Sequence, residues 1–308
     1  MTLVRLVTWV AVDGVPDGHA AGMTRFNVIQ DGLDLSRPDV TTPQEIEAFH
    51  AEYERTKKGR LDSFEFWIEF RPDVLKRHKA RSRHFFGDEA ARYQVPIQML
   101  AIHQYTIEGF RGGIGYEIRL ARSNGAQRTD VLDTLSVAAI HAGHQGMYAA
   151  YAEADQLRDY VDPPVSDRFP PNWEVDPNGF DSGMDYSSRE ASTADIDALM
   201  DWYTTTLGEI PRHAQFLARH RPGLLKAYRN RYEHAIKDSL PKQMLPYLLL
   251  NHATVKGDED AIRENVLLGR ALGMTTEQLL DSLGLAVLFA GIEVLGPVER
   301  SAGELLGL

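Results

Sequence analysis

Three segments of this chain occur twice, in the same order and at nearly the same spacing. FRPDVLKRHKAR (Phe70 to Arg81) returns as HRPGLLKAYRNR (His220 to Arg231). VPIQML (Val95 to Leu100) returns as LPKQML (Leu240 to Leu245), and ARSNGAQRTDVLDTLSVAAIHAG (Ala121 to Gly143) returns as GRALGMTTEQLLDSLGLAVLFAG (Gly269 to Gly291). The offsets are 150, 145 and 148 residues. Helical bias alone does not preserve order, so the colinear matches predict two copies of one helical unit.

Each copy reads as a series of helices. The first begins at Arg-Pro, and the second follows the proline before Gln98 or Gln243. The third runs to a glycine stop at Gly125 or Gly273, and the fourth begins at Thr129 or Thr276 and carries an apolar run. Upstream, TTPQEIEAFHAEYERTKKG has a cap-like threonine, an early proline and acids in the first turn. The fold class is therefore all-α. The expected organisation is an irregular arm over 1–40, a first repeat over 41–155, a Pro-rich connector over 156–193 and a second repeat over 194–308. The connector has five prolines between Pro163 and Pro177 and reads as extended, non-helical chain that either wraps over the surface, the favoured reading, or closes a site.

Composition removes several classes of function. The chain has no cysteine, which excludes thiol redox chemistry, cysteine nucleophiles and thiolate metal sites. Net charge is −11 with basic residues scattered among acids, so no nucleic-acid partner is expected. No segment reads as a signal peptide or a membrane span, so the expected location is cytoplasmic, with no membrane partner.

EIRLARSNGAQRTDVLDTLSVAAIHAG and NVLLGRALGMTTEQLLDSLGLAVLFAG give the third and fourth helices of each copy a distinctive frame. It resembles that of the carboxymuconolactone decarboxylase / AhpD-like superfamily, over about 45 residues of each copy. The resemblance implies small all-helical units, here fused in tandem, that form oligomers and hold a ligand pocket among their helices; a homo-oligomer is expected. The peroxidase branch carries Cys-x-x-Cys and then a histidine. Registered on Gly125, the second cysteine falls at Gly113 and the histidine at Glu117; in the second copy they fall at Ala261 and Asn265. A family glutamate corresponds to Gln98 and Gln243. Thiol peroxidase activity is not carried over.

Comparing the copies isolates polar residues of the first. His103 stands opposite Leu248, Glu117 opposite Asn265, His141 opposite Phe289 and His144 opposite Ile292. Ionisable groups on inner surfaces cost free energy unless paired or useful, so the main site is expected in the first copy. His141 and His144, three apart on a predicted helix, share a face. A histidine and a partly buried glutamate suit proton transfer near neutral pH. His103, Glu117, His141 and His144 are thus the expected catalytic set, and Gln98, Tyr105, Arg111 and Tyr116 the expected substrate contacts. In the second copy Asn251, His252, Glu259 and Asn265 are polar, with His252 opposite Ile107.

The expected function is a lyase, decarboxylase or isomerase without cofactor or metal, acting on a small organic acid, lactone or cyclic ketone. A hydrolase using the same groups, a non-catalytic ligand-binding or scaffolding protein, and a metal-dependent enzyme built on the His-x-x-His pair and a glutamate are the alternatives.

Overall fold

The computed structural model describes residues 29–57, 62–82, 90, 92–164, 167–237 and 239–307. Most of the arm expected over 1–40 lies outside them. The described part, 29–40, contains a two-residue antiparallel pair, Ile29–Gln30 with Leu33–Asp34. Everything else that is regular is helical. In the first half these are α1 (Pro43–Lys57), α2 (Asp62–Phe70), α3 (Pro72–Ser82), α4 (Gln94–Glu108), α5 (Arg111–Ser123), α6 (Arg128–Ala138), α7 (His144–Tyr151) and α8 (Ala154–Arg158). The second half holds α9 (Thr193–Leu207), α10 (Arg212–His220), α11 (Pro222–Glu233), α12 (Met244–Lys256), α13 (Glu259–Ala271), α14 (Thr276–Ala290) and α15 (Leu295–Leu306). Among the described residues no helix is long and apolar enough to cross a membrane.

Several local devices of the first half recur in the second. Thr42 and Glu45 close the start of α1: Thr42 N–H donates to Glu45 Oε2 at 2.7 Å, and Glu45 N–H donates to Thr42 Oγ1 at 3.2 Å. Ser192 and Asp195 do the same for α9, 150 residues on, at 2.8 and 3.1 Å. A buried lysine of the third helix then reaches each acid: Lys76 to Glu45 at 2.6 Å and Lys226 to Asp195 at 2.9 Å. The N–H groups of Asp34 and Asp185 complete the same two carboxylates.

Glycines with positive φ end the next pairs of helices. Gly109 and Gly257 cap α4 and α12, and Gly125 and Gly273 follow α5 and α13, each pair 148 residues apart. Thr106 and Thr254 bond the carbonyl one turn back at the same spacing. These landmarks revise the sequence register by three residues in this helix: His103 stands opposite Asn251, and His252 opposite Gln104, not Ile107. α4 and α12 pack against each other at the centre of one hydrophobic core, whose buried residues run from Val95 to Leu306.

Among the described residues the connector has no helix or strand from Asp159 to Ser192 and most of it is exposed, yet it is anchored to the core. Phe180 is 1% exposed, and the Gln243 side chain accepts from Glu174 N–H and donates to the Asn172 and Leu272 carbonyls. Gln243 itself precedes α12 and pins the connector to it. The expectation that His141 and His144 share a helix fails: α6 ends at Ala138, and Gly143, with extended backbone, starts α7 anew.

Candidate active site

A cavity of about 370 Å³ opens between α10, α11, α12 and α13 and the turn after α6. α10 supplies His213, α11 Tyr228 and Tyr232, α12 His252, α13 Glu264 and Asn265, and the first half contributes His141.

Glu264 is the chemical centre of this space. Its side chain is 13% exposed. Burial raises its pKa to about 7, with Asp258 and Asp260 adding to the rise and the Arg229 guanidinium opposing it. His213 Nδ1 lies 3.6 Å from Glu264 Oε2. Burial also lowers the pKa of His213, against the pull of Asp258 and Asp260. Near neutral pH the pair is thus a carboxyl that still holds part of its proton beside an imidazole that burial keeps neutral. Burial raises the hydroxyl pKa of Tyr228 and Tyr232, with Glu264 the next cause for both, so these hydroxyls stay protonated. Arg229, behind them, is taken up by Glu233 at 2.7 Å, by the Phe180 carbonyl and by the Trp202 ring.

Two buried atoms on this cavity lack hydrogen-bond partners: Asn265 Oδ1 and His213 Nε2. The Asn265 amide nitrogen donates to the Ala261 carbonyl at 2.8 Å, which turns Oδ1 away as a bare acceptor. An orphaned buried acceptor costs about 1–3 kcal/mol, and a ligand carrying a donor recovers it.

Three histidines run inward from the cavity mouth. His141 is exposed on one side, and its ring lies 4.9 Å from that of His252. His103 lies behind His252, ring centroids 6.2 Å apart, fully buried, with neither ring nitrogen hydrogen-bonded. Burial drives the pKa of His103 well down, with His252 and His141 adding to it.

Of the residues expected from the sequence, then, His141 lines this cavity and His103 stands behind it. The others are elsewhere. His144 is exposed on a separate surface cavity with Arg231 and His234. Burial raises the hydroxyl pKa values of Tyr105 and Tyr116, and the half-buried Glu117 adds to the rise in both. Tyr116 packs in a second small cluster with Phe49 and Tyr53, and Tyr105 packs on Phe110 and Phe289. Arg111 is held by Glu153 at 2.8 Å and so is not a waiting carboxylate clamp. Gln98 is buried, its Oε1 unpaired. The reading of copy against copy found polar residues of the first half; the opposite comparison, Glu264 against Tyr116 at 148 residues, carries the signal for the cavity. In the first half that position is Tyr116, buried against Phe49 and Tyr53.

Among the described residues no group of three or more His, Asp or Glu side chains is arranged to hold a metal ion. No family model matches the chain, and neither a curated protein nor a solved structure matches it.

Proposed function

We propose that the chain is an acid–base enzyme that moves a proton next to a carbonyl group, a lyase or isomerase working through Glu264 and His213. The observation that carries this reading is the buried Glu264 carboxyl, held near neutrality in a cavity and 3.6 Å from an imidazole. A catalytic acid or base works best with its pKa close to the working pH, and such groups contribute about 10²–10⁴-fold. Tyr228 and Tyr232 supply hydroxyl donors for an oxygen that gains charge.

The charge of the lining narrows the substrate. Asp258 and Asp260 stand at the cavity with Glu264, against the single cation Lys256 and histidines whose pKa values burial lowers. A neutral lactone or cyclic ketone fits this field better than an organic acid. A hydroxyl on it meets Asn265 Oδ1. The superfamily resemblance supports the location: Ala261 and Asn265, where the family's reactive centre falls in the second copy, both line the cavity.

The test is deuterium exchange. A panel of hydroxylated lactones and cyclic ketones is incubated with the protein in D2O and followed by NMR. At least one compound exchanges the proton beside its carbonyl, and Glu264→Gln loses that exchange. Exchange with every compound no faster than with Glu264→Gln would sink the proposal.

A further inference from the structure

We propose that Gln104 and Glu108, both from the first half of the chain, are positioning residues that fix the tautomer of His252, leaving its Nε2 a bare, proton-accepting nitrogen. Each step follows from donor and acceptor chemistry. A carboxylate only accepts, so the Gln104 atom 2.8 Å from Glu108 Oε1 is the amide NH2. That turns Gln104 Oε1 toward His252, 3.2 Å from Nδ1. A carbonyl oxygen only accepts, so Nδ1 carries the hydrogen. Burial lowers the His252 pKa to about 4, with His141 and Lys256 adding and Asp258 opposing. The ring is therefore neutral at pH 7, has one N–H, and must leave Nε2 with its lone pair.

The relay crosses the molecule. Gln104 and His252 are the matching positions of α4 and α12, 148 residues apart, and they meet where those helices pack. Gln104 is fully buried and His252 is 8% exposed on the cavity wall. A cavity built from second-half helices thus takes the orientation of one wall histidine from the first half. The role assigned to His252, receiving or returning a substrate proton beside Glu264, rests on the acid–base reading above; the tautomer does not.

The experiment is long-range 15N–1H NMR of histidine-labelled protein, with His252 assigned by the signals lost in His252→Asn. The wild type shows a protonated Nδ1 and an unprotonated Nε2. Gln104→Leu removes the acceptor and gives a mixture of tautomers or the Nε2–H form. Glu108→Gln, at the surface, lets the amide turn over and also gives a mixture, and it serves if Gln104→Leu does not fold. Gln104→Glu keeps an acceptor and keeps the Nδ1–H form. With a turned-over substrate, Gln104→Leu lowers kcat about 10- to 100-fold, the range for outer partners of functional histidines, while KM changes little. A wild-type Nε2–H, or a tautomer unmoved in both Gln104→Leu and Glu108→Gln, overturns the proposal. A moved tautomer with unchanged kcat overturns the positioning role. The NMR reading needs no turnover, so a fully active Glu264→Gln, which would end the acid–base reading, is a distinct failure.

Discussion

Glu264 keeps its proton to a pH at which an ordinary glutamate has lost it, and this has a sign in stability as well as in chemistry. Its folded pKa of about 7 stands above the ordinary 4.5. The stability tied to keeping the proton is fully present below pH 4.5. It is lost as pH rises through 7, by about 3 kcal/mol if the whole difference is realised. Glu264→Gln mimics the protonated form. It is expected to match the wild type in denaturant midpoint at pH 5 and to exceed it at pH 8, measured by urea unfolding at both pH values. A gap of equal size at both would show that Glu264 titrates normally. Asn265→Leu removes the orphaned acceptor and is expected to leave stability unchanged or raised while weakening binding of hydroxylated ligands, read by thermal shift with and without ligand. None of this is visible in the local sequence. A glutamate on an amphipathic helix reads as a solvated residue until the neighbouring aromatic wall is known.

The element starts were legible where local chemistry sets them. The threonine, proline and early acid before α1 mark its beginning, and Gly125 and Gly273 sit where left-handed stops are needed. The fourth helices begin close to where expected, capped by Gln127 and Thr275. Legibility failed where packing overrides pattern. The run through His141 and His144 looks like one helix, but it breaks at Ala138, with Gly143 preceding α7. The repeated device of capping acid and buried lysine was illegible because its partners lie 31 residues apart, on separate helices. Breaking a buried ion pair leaves an uncompensated charge and costs about 3–5 kcal/mol. Lys226→Met is therefore expected to destabilise by that order in denaturant unfolding. Combining Lys226→Met with Asp195→Asn, which removes the charge but keeps an acceptor for the cap of α9, is expected to cost less than Lys226→Met alone. A larger cost for the double variant would contradict the pairing.

The two-copy pattern of the sequence divides the molecule into halves, but the core does not. Buried residues of α4, α5 and α6 form one cluster with those of α9, α12, α13 and α14, so no apolar boundary separates 94–138 from 194–308. A single calorimetric transition is expected, with calorimetric and van't Hoff enthalpies in agreement; two resolved transitions would contradict a shared core. The cavity's place was hidden because it depends on the side chain at one matching position: Tyr116, buried against Phe49 and Tyr53, in the first half and Glu264, on the cavity, in the second. The most direct measurement is turnover of one exchanging substrate by Glu264→Gln, Glu117→Gln and His144→Ala side by side. Glu264→Gln is expected to lose about 10²–10⁴-fold in kcat while the other two stay within about twofold of wild type. Loss with Glu117→Gln or His144→Ala while Glu264→Gln keeps its activity would place the chemistry in the first half and contradict the assignment.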